Sequence, residues 1–165
     1  MNDVLLVDKK EFEINSLDDE IRVDNLCGGL LQRFYRYLLD KDIVPGNATA
    51  LASGADYFTR DFVIARKQKS IFEEQPGMVR QFAGNWYITN TLEPDIGELS
   101  TYLDGVKTFY RFLHEYRLIS DQFLSSVERE CDDGAFYEER IKSFWEIRDD
   151  GYFAWESECT LKDGE

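Results

Sequence analysis

Apolar side chains recur at three- and four-residue spacing through the middle of this chain. The pattern is clearest over 94–116, where Leu99, Tyr102, Leu103, Val106, Phe109, Tyr110 and Leu113 repeat without a break. Such a stripe lies along one face of a helix, and its width places that helix at the centre of a core. A first helix is predicted over 25–40, with Leu31, Phe34, Tyr35, Leu38 and Leu39 on one face. Gly28-Gly29 weakens its first turn, because each glycine inside a helix costs about 1 kcal/mol against alanine.

A second helix is expected from Asn47, a residue type that caps helix starts well. Pro45-Gly46 before it reads as a connection. Leu51, Ala55, Phe58 and Phe62 form its stripe, and Arg66, Lys67 and Lys69 follow at its end. A shorter third helix starts near Pro76 and carries Val79, Phe82, Ala83 and Trp86. After the central helix come helices over 121–131, with Phe123, Leu124 and Val127, and over 135–147, with Phe136, Tyr137, Ile141, Phe144 and Trp145. Asp132-Asp133-Gly134 separates them. Residues 4–14 have some β character but little alternation, so a weak strand or an arm is expected. Asp18-Asp19-Glu20 reads as a turn or a helix start. The tail from Asp149, with Tyr152, Phe153 and Trp155, reads as a docked segment or a short strand closing over the core. The expected fold is all-α, a small orthogonal bundle of four to five helices with an acidic extension at each end. It divides into an arm (1–25), a helical domain (26–127) and a C-terminal helical extension (128–165).

A chain of 165 residues fits one domain of about 100–200 residues. Twelve Phe, nine Tyr and three Trp favour bulky helix contacts. Met1-Asn2-Asp3 lacks the basic start of a secretory leader, and Val4-Leu5-Leu6-Val7 is short for its apolar part. No apolar run approaches the roughly 18 residues of a membrane span. Cys27, Cys131 and Cys159 are odd in number and widely spaced, as free thiols of a reducing cytoplasm would be.

Net charge is −14, which disfavours nucleic acid as a partner. Its distribution changes that picture. Residues 1–25 hold 8 acids and 3 bases, residues 26–120 hold 11 of each, and residues 121–165 hold 14 acids and 5 bases. The acidity belongs to the ends, and the neutral middle has room for a basic face.

The middle also resembles a known family. Leu30-Leu31-Gln32-Arg33-Phe34-Tyr35-Arg36-Tyr37-Leu38 is similar to the opening helix of the N-terminal core-binding (SAM-like) domain of tyrosine recombinases and phage integrases. Thr49 stands where that family's second helix begins. Leu103, Val106, Lys107, Phe109, Tyr110, Arg111, Phe112, Leu113, Glu115, Leu118 and Ile119 resemble its fourth helix and exit. The resemblance covers roughly 29–127. Asp121-Gln122 stands where the family often has Asn-Pro, and 38 residues after Val127 are too few for the catalytic domain. No Arg…His-x-x-Arg…Tyr set can be built with the single His114. The resemblance implies a clamp that grips duplex DNA through its second and fourth helices, without the half that cuts.

Arg66, Lys67 and Lys69, with Lys107, Arg111 and His114, are the corresponding DNA-binding candidates. Lys107, Arg111 and His114 fall at i, i+4 and i+7 and so share one helix face. Such cations meet phosphates, the main source of non-specific DNA affinity. The plainer alternative is a solvated face, with Lys107 near Asp104 and Arg111 near Glu115.

His114 has no second His or Cys nearby to complete a metal site. The acidic stretches around Gly134 and Gly151 fail the calcium-loop spacing: Arg129, Cys131 and Arg140 fall at ligand positions of the first, and Arg148 and Ser157 of the second. Phosphate-cradling loops and nucleophile motifs are absent. No cofactor, no small-molecule substrate and no enzymatic activity are therefore expected. Two functions follow: a non-catalytic DNA-binding or recombination-associated domain, or an acidic regulatory module for a basic protein partner.

Overall fold

The computed structural model describes residues 5–159. The described residues are all helical, with no strand. Val4, the start of the expected 4–14 element, and residues 160–165 of the acidic end lie outside them. The rest of 4–14 forms no strand. It holds one 3-10 turn, Lys9–Phe12, started by the Asp8 carboxylate accepting from the Lys10 N–H. Without alternation there is no second face to pair, and the segment instead inserts Phe12 edge-on against Phe72 at 5.0 Å.

Among the described residues seven helices follow, more than the four or five expected. The first, α1, spans Leu17–Asp40. Ser16 Oγ accepts from the Asp19 N–H at 3.2 Å, and Asp18, Asp19 and Glu20 occupy the first turn. Acids are favourable there because the unpaired N–H groups carry partial positive charge. Val23 and Cys27 are fully buried and extend the stripe of Leu30, Leu31 and Phe34 towards the N-terminus. Of the presumed 1–25 arm, residues 5–16 precede α1 and residues 17–25 belong to it.

The second helix, α2, begins with Pro45–Asp56 and continues without a break as π-helical Tyr57–Arg66. Pro45 occupies its first turn, where a missing N–H costs nothing. Asn47 is therefore inside the helix and does not cap it. The third, α3, runs through Met78–Gln81, π-helical Phe82–Trp86 and Tyr87–Thr89. The central helix, α4, spans Ile96–Glu115 and is capped by Asp95 accepting from Glu98 N–H at 2.9 Å. Then come α5 (Asp121–Cys131), α6 (Gly134–Trp145) and α7 (Tyr152–Ser157). The tail expected as a docked segment or strand is thus partly helix, and of its aromatics Trp155 joins the core while Phe153 is exposed. The 127/128 division falls inside α5.

The most extensive helix pair is α2 against α4. It is close because glycines stand at the crossing. A Cβ on Gly105 would lie 2.2 Å from the Leu51 carbonyl oxygen, and one on Gly54 would lie 2.7 Å from that of Tyr102. Around the crossing, Phe34, Phe58, Phe62, Phe82, Phe109 and Phe112 are almost wholly buried. Their rings meet at 5.1–6.1 Å, mostly edge-on or tilted, the arrangements the ring quadrupole favours.

The start of α3 is capped from another helix. Gly77 has no side chain to offer, and the Glu130 carboxylate of α5 accepts from the N–H groups of Gly77 (3.0 Å) and Arg80 (2.9 Å). Glu130→Ala should therefore cost about 1–2 kcal/mol, the usual loss of an anionic cap, in urea denaturation. Glu128→Ala, two residues away, should cost less.

Candidate functional site

The structure separates the six candidate DNA contacts into two groups. Lys107, Arg111 and His114 do share one face of α4. That face meets α5. Lys107 Nζ lies 2.7 Å from Asp132 Oδ1. Arg111 donates through Nε (2.9 Å) and Nη2 (2.6 Å) to Glu128 Oε2. His114 Nε2 lies 2.6 Å from Asp121 Oδ1. The three pairs form a ladder between α4 and the helix that follows it. The partners come from 7, 17 and 25 residues away in sequence, not from the neighbouring Asp104 and Glu115. Glu115 instead accepts from Tyr37 OH and lies 3.7 Å from Lys41 Nζ.

A phosphate approaching this face would meet three carboxylates as well as the cations. The ladder is mostly solvent-exposed, so each pair contributes little to stability. A double-mutant cycle on Arg111→Ala and Glu128→Ala should give a coupling of about 0.3–1 kcal/mol, shrinking as salt rises. A coupling indistinguishable from zero at low salt would contradict the paired geometry.

The other three candidates stand at the end of α2. Arg66 is exposed and makes no ion pair among the described residues. Lys67 Nζ sits 5.9 Å from the Phe62 ring centroid. Lys69 is exposed and lines a groove with Lys9 and Lys10. Neither this groove nor the one lined by Arg66 and Lys67 includes Lys107, Arg111 or His114. The second and fourth helices therefore present no shared positive groove there.

Other cations are also engaged. Arg60 grips Asp24 with two 3.0 Å hydrogen bonds and lies 3.5 Å from Asp56. Hydrogen bonding from Arg60 holds the Asp24 carboxyl below its ordinary range, whereas burial pushes Asp56 up. These three residues stand beside a groove of about 970 Å³ between α1 and α2, which Asp56 and Arg60 line together with Tyr35, Arg36 and Ser53.

Arg140 of α6 is the most deeply placed charge, at 3% exposure. Its Nε donates to Gly84 O (2.9 Å) and its Nη1 to Trp155 O (2.7 Å), while Nη2 donates to Asn85 Oδ1. The guanidinium lies 3.8 Å from the Trp155 ring centroid. Trp155 Nε1 donates back to Ser143 Oγ at 3.0 Å. Sequence reasoning missed this hub. The signal was present: Tyr137, Arg140, Ile141 and Phe144 fall on one helical face, and Arg140 is the charge among apolar neighbours.

The cysteines form no disulfide among the described residues and are buried. Burial pushes the Cys27 thiol up to about 12 and raises Cys131 and Cys159 as well. Such thiols stay protonated near neutral pH and make poor nucleophiles. No group of three or more His, Cys, Asp or Glu among the described residues is placed to hold a metal ion. No described helix is long and apolar enough to cross a membrane.

Exposed apolar side chains are spread over the described residues, Leu6, Leu17, Ile21, Val44 and Leu92 among them, and the exposed aromatic ones stand near the C-terminal end. Trp145, ending α6, is 62% exposed, and Phe153, opening α7, is 78% exposed. Between them in sequence stand the exposed acids Glu146, Asp149 and Asp150.

Comparison with protein-family models, with curated proteins and with solved structures finds no match to this chain. The class defined by the structure is that of an all-helical protein, and the integrase resemblance rests on the residues quoted above.

Proposed function

We propose that this chain is a non-catalytic, acidic protein-binding module that recognises a basic segment of a partner. The observation that carries this reading is the ladder on α4. It commits Lys107, Arg111 and His114, the side chains whose spacing suits phosphate, to Asp132, Glu128 and Asp121. Acids outnumber Lys and Arg by 33 to 19, and Arg22, Lys41, Arg60 and Arg140 are engaged as well. The surface left over attracts cations.

Trp145 and Phe153 supply the apolar anchors that such an interface needs at its centre, with acids between them in sequence. Aromatic anchors carry much of the energy of protein interfaces. An amphipathic lysine-rich peptide has the complementary chemistry.

The test is a titration of the full chain with a labelled lysine-rich amphipathic peptide. Binding with Kd of about 1–100 μM at low salt is expected, weakening with salt. Joint replacement of Trp145 and Phe153 by alanine should weaken it about tenfold. The exposed side chains leave little packing to lose. No binding at low salt would refute the reading.

A second reading, DNA binding as the integrase resemblance implies, draws support from the exposed end of α2. Arg66 makes no ion pair there among the described residues, and Lys69 lines one groove of about 460 Å³ with Lys9 and Lys10.

A further inference from the structure

α1 carries two apolar lines, and the fold covers one of them. Val23, Cys27, Leu30, Phe34 and Leu38 turn into the core. Leu17, Ile21, Gly28, Tyr35 and Leu39 fall within about 40° of one another around the helix axis, about a third of a turn from the core face. Leu17 is 71% exposed, Ile21 58% and Leu39 36%. Gly28, Tyr35 and Leu39 line the groove of about 970 Å³ between α1 and α2, with Thr49 and Ser53 on its other wall. Leu17 and Ile21 continue the same line beyond it. A helix that is apolar along a second, solvent-facing line has a surface left to cover.

Gly28 points the same way. Gly54 and Gly105 are required by the crossing of α2 and α4, whereas a Cβ on Gly28 would meet only Arg60, at 3.7 Å, an ordinary contact. Glycine inside a helix is unfavourable unless a close approach needs it. Nothing within the chain makes that approach to Gly28. It stands near the middle of Leu17–Asp40 on the exposed line, where it admits another backbone.

The line is complementary to itself. Gly28 lies midway between Leu17 and Leu39, and midway between Ile21 and Tyr35. An antiparallel copy of α1, related by a twofold axis at Gly28, therefore sets Leu17 against Leu39 of the second copy and Ile21 against Tyr35 of the second copy. The charges agree with this direction. Asp18 and Arg36 are separated by five turns of about 3.6 residues each, so they share one flank of the line. Both are exposed, and neither makes an ion pair among the described residues. The antiparallel arrangement brings Asp18 of each copy beside Arg36 of the other, as a twofold interface requires. A parallel copy would set like charges together.

We propose that α1 is a self-association surface, through which two copies of this chain pair antiparallel about Gly28. This inference is independent of the basic-peptide reading, since it uses neither Trp145 nor Phe153.

The test is sedimentation equilibrium of the full chain over about 1–500 μM, a range that brackets the expected Kd of about 10–100 μM. Ile21→Glu should weaken dimerisation about tenfold or more, because it places an unpaired charge inside the interface. That side chain is exposed in the monomer, so the fold is kept, and circular dichroism checks it. Asp18→Arg and Arg36→Asp should each weaken the dimer about three- to tenfold, and combining them should regain most of the loss. Such rescue has no source inside one chain, where the two residues stand ~27 Å apart along the helix. Phe153→Ala should leave the dimer unchanged. A chain that stays monomeric at about 500 μM overturns the proposal. So does a dimer unaffected by Ile21→Glu, a dimer lost with Phe153→Ala, or a charge swap that restores nothing.

Discussion

Arg140→Met should destabilise the protein by about 3–5 kcal/mol, a large share of the stability of a domain this size. Methionine fills similar volume but donates nothing. Its substitution removes the hydrogen bonds that Gly84 O, Trp155 O and Asn85 Oδ1 accept from the guanidinium. Each unpaired buried acceptor costs about 1–3 kcal/mol. The contact between the guanidinium and the Trp155 ring is lost too. Burial lowers the Arg140 pKa, but a guanidinium stays charged in proteins. The charge is therefore stabilised in place by neutral acceptors, with Glu158 at 3.4 Å as an exposed counter-ion. Urea denaturation measures the loss. Glu158→Gln should cost far less, because that carboxylate is largely in water. A cost below about 1 kcal/mol for Arg140→Met would mean that α7 does not dock through this hub.

The second large effect is expected from Gly105→Ala. A methyl group 2.2 Å from the Leu51 carbonyl oxygen cannot be accommodated without separating α2 from α4. The atoms it would meet, Leu51 O, Leu51 C and Ala55 N, all belong to backbone, so no side-chain rotation relieves the clash. The expected cost is about 3 kcal/mol or more, and it should appear in thermal denaturation as a large fall in Tm. Gly29→Ala is the matched control. It lies inside α1, and a Cβ there meets nothing within 4 Å. It should stabilise by about 0.5–1 kcal/mol through helix propensity alone. The two substitutions make the same chemical change in two helices, and opposite signs are predicted.

Much of this architecture is legible in the sequence where one local signal decides it. The three- and four-residue stripe from Leu99 to Leu113 locates α4, and the pattern from Phe123 to Val127 locates α5. Ser120 and Asp95 cap those helices by side-chain bonds of ordinary local kind. The start of α1 was harder to read. Its stripe of Val23 and Cys27 is interrupted by acids and followed by two glycines, so local propensity argued against the helix that tertiary packing supplies. The first turn of α2 turns on Pro45, which ends one helix and begins another with equal ease. The π-helical segments leave no sequence signature of their own.

The candidate site shows the same limit. That Lys107, Arg111 and His114 share a face follows from helical spacing. What lies opposite that face depends on how α5 folds back after Arg117, whose positive φ of 61° marks the turn. Glu128 and Asp132 were read as acids of a terminal extension. In the folded chain they pair with Arg111 and Lys107 of the middle. The charge separation along the sequence, neutral centre and acidic ends, therefore does not survive as a separation in space.

The most direct test of the acidic-module reading is a salt series of fluorescence anisotropy with duplex DNA and the full chain, starting at about 20 mM salt. The ladder predicts no binding of DNA at any salt concentration, under conditions where the lysine-rich peptide binds. Salt-dependent DNA binding that weakens when Lys107 and Arg111 are replaced by alanine would contradict it, and would return those two residues to the role their spacing first suggested.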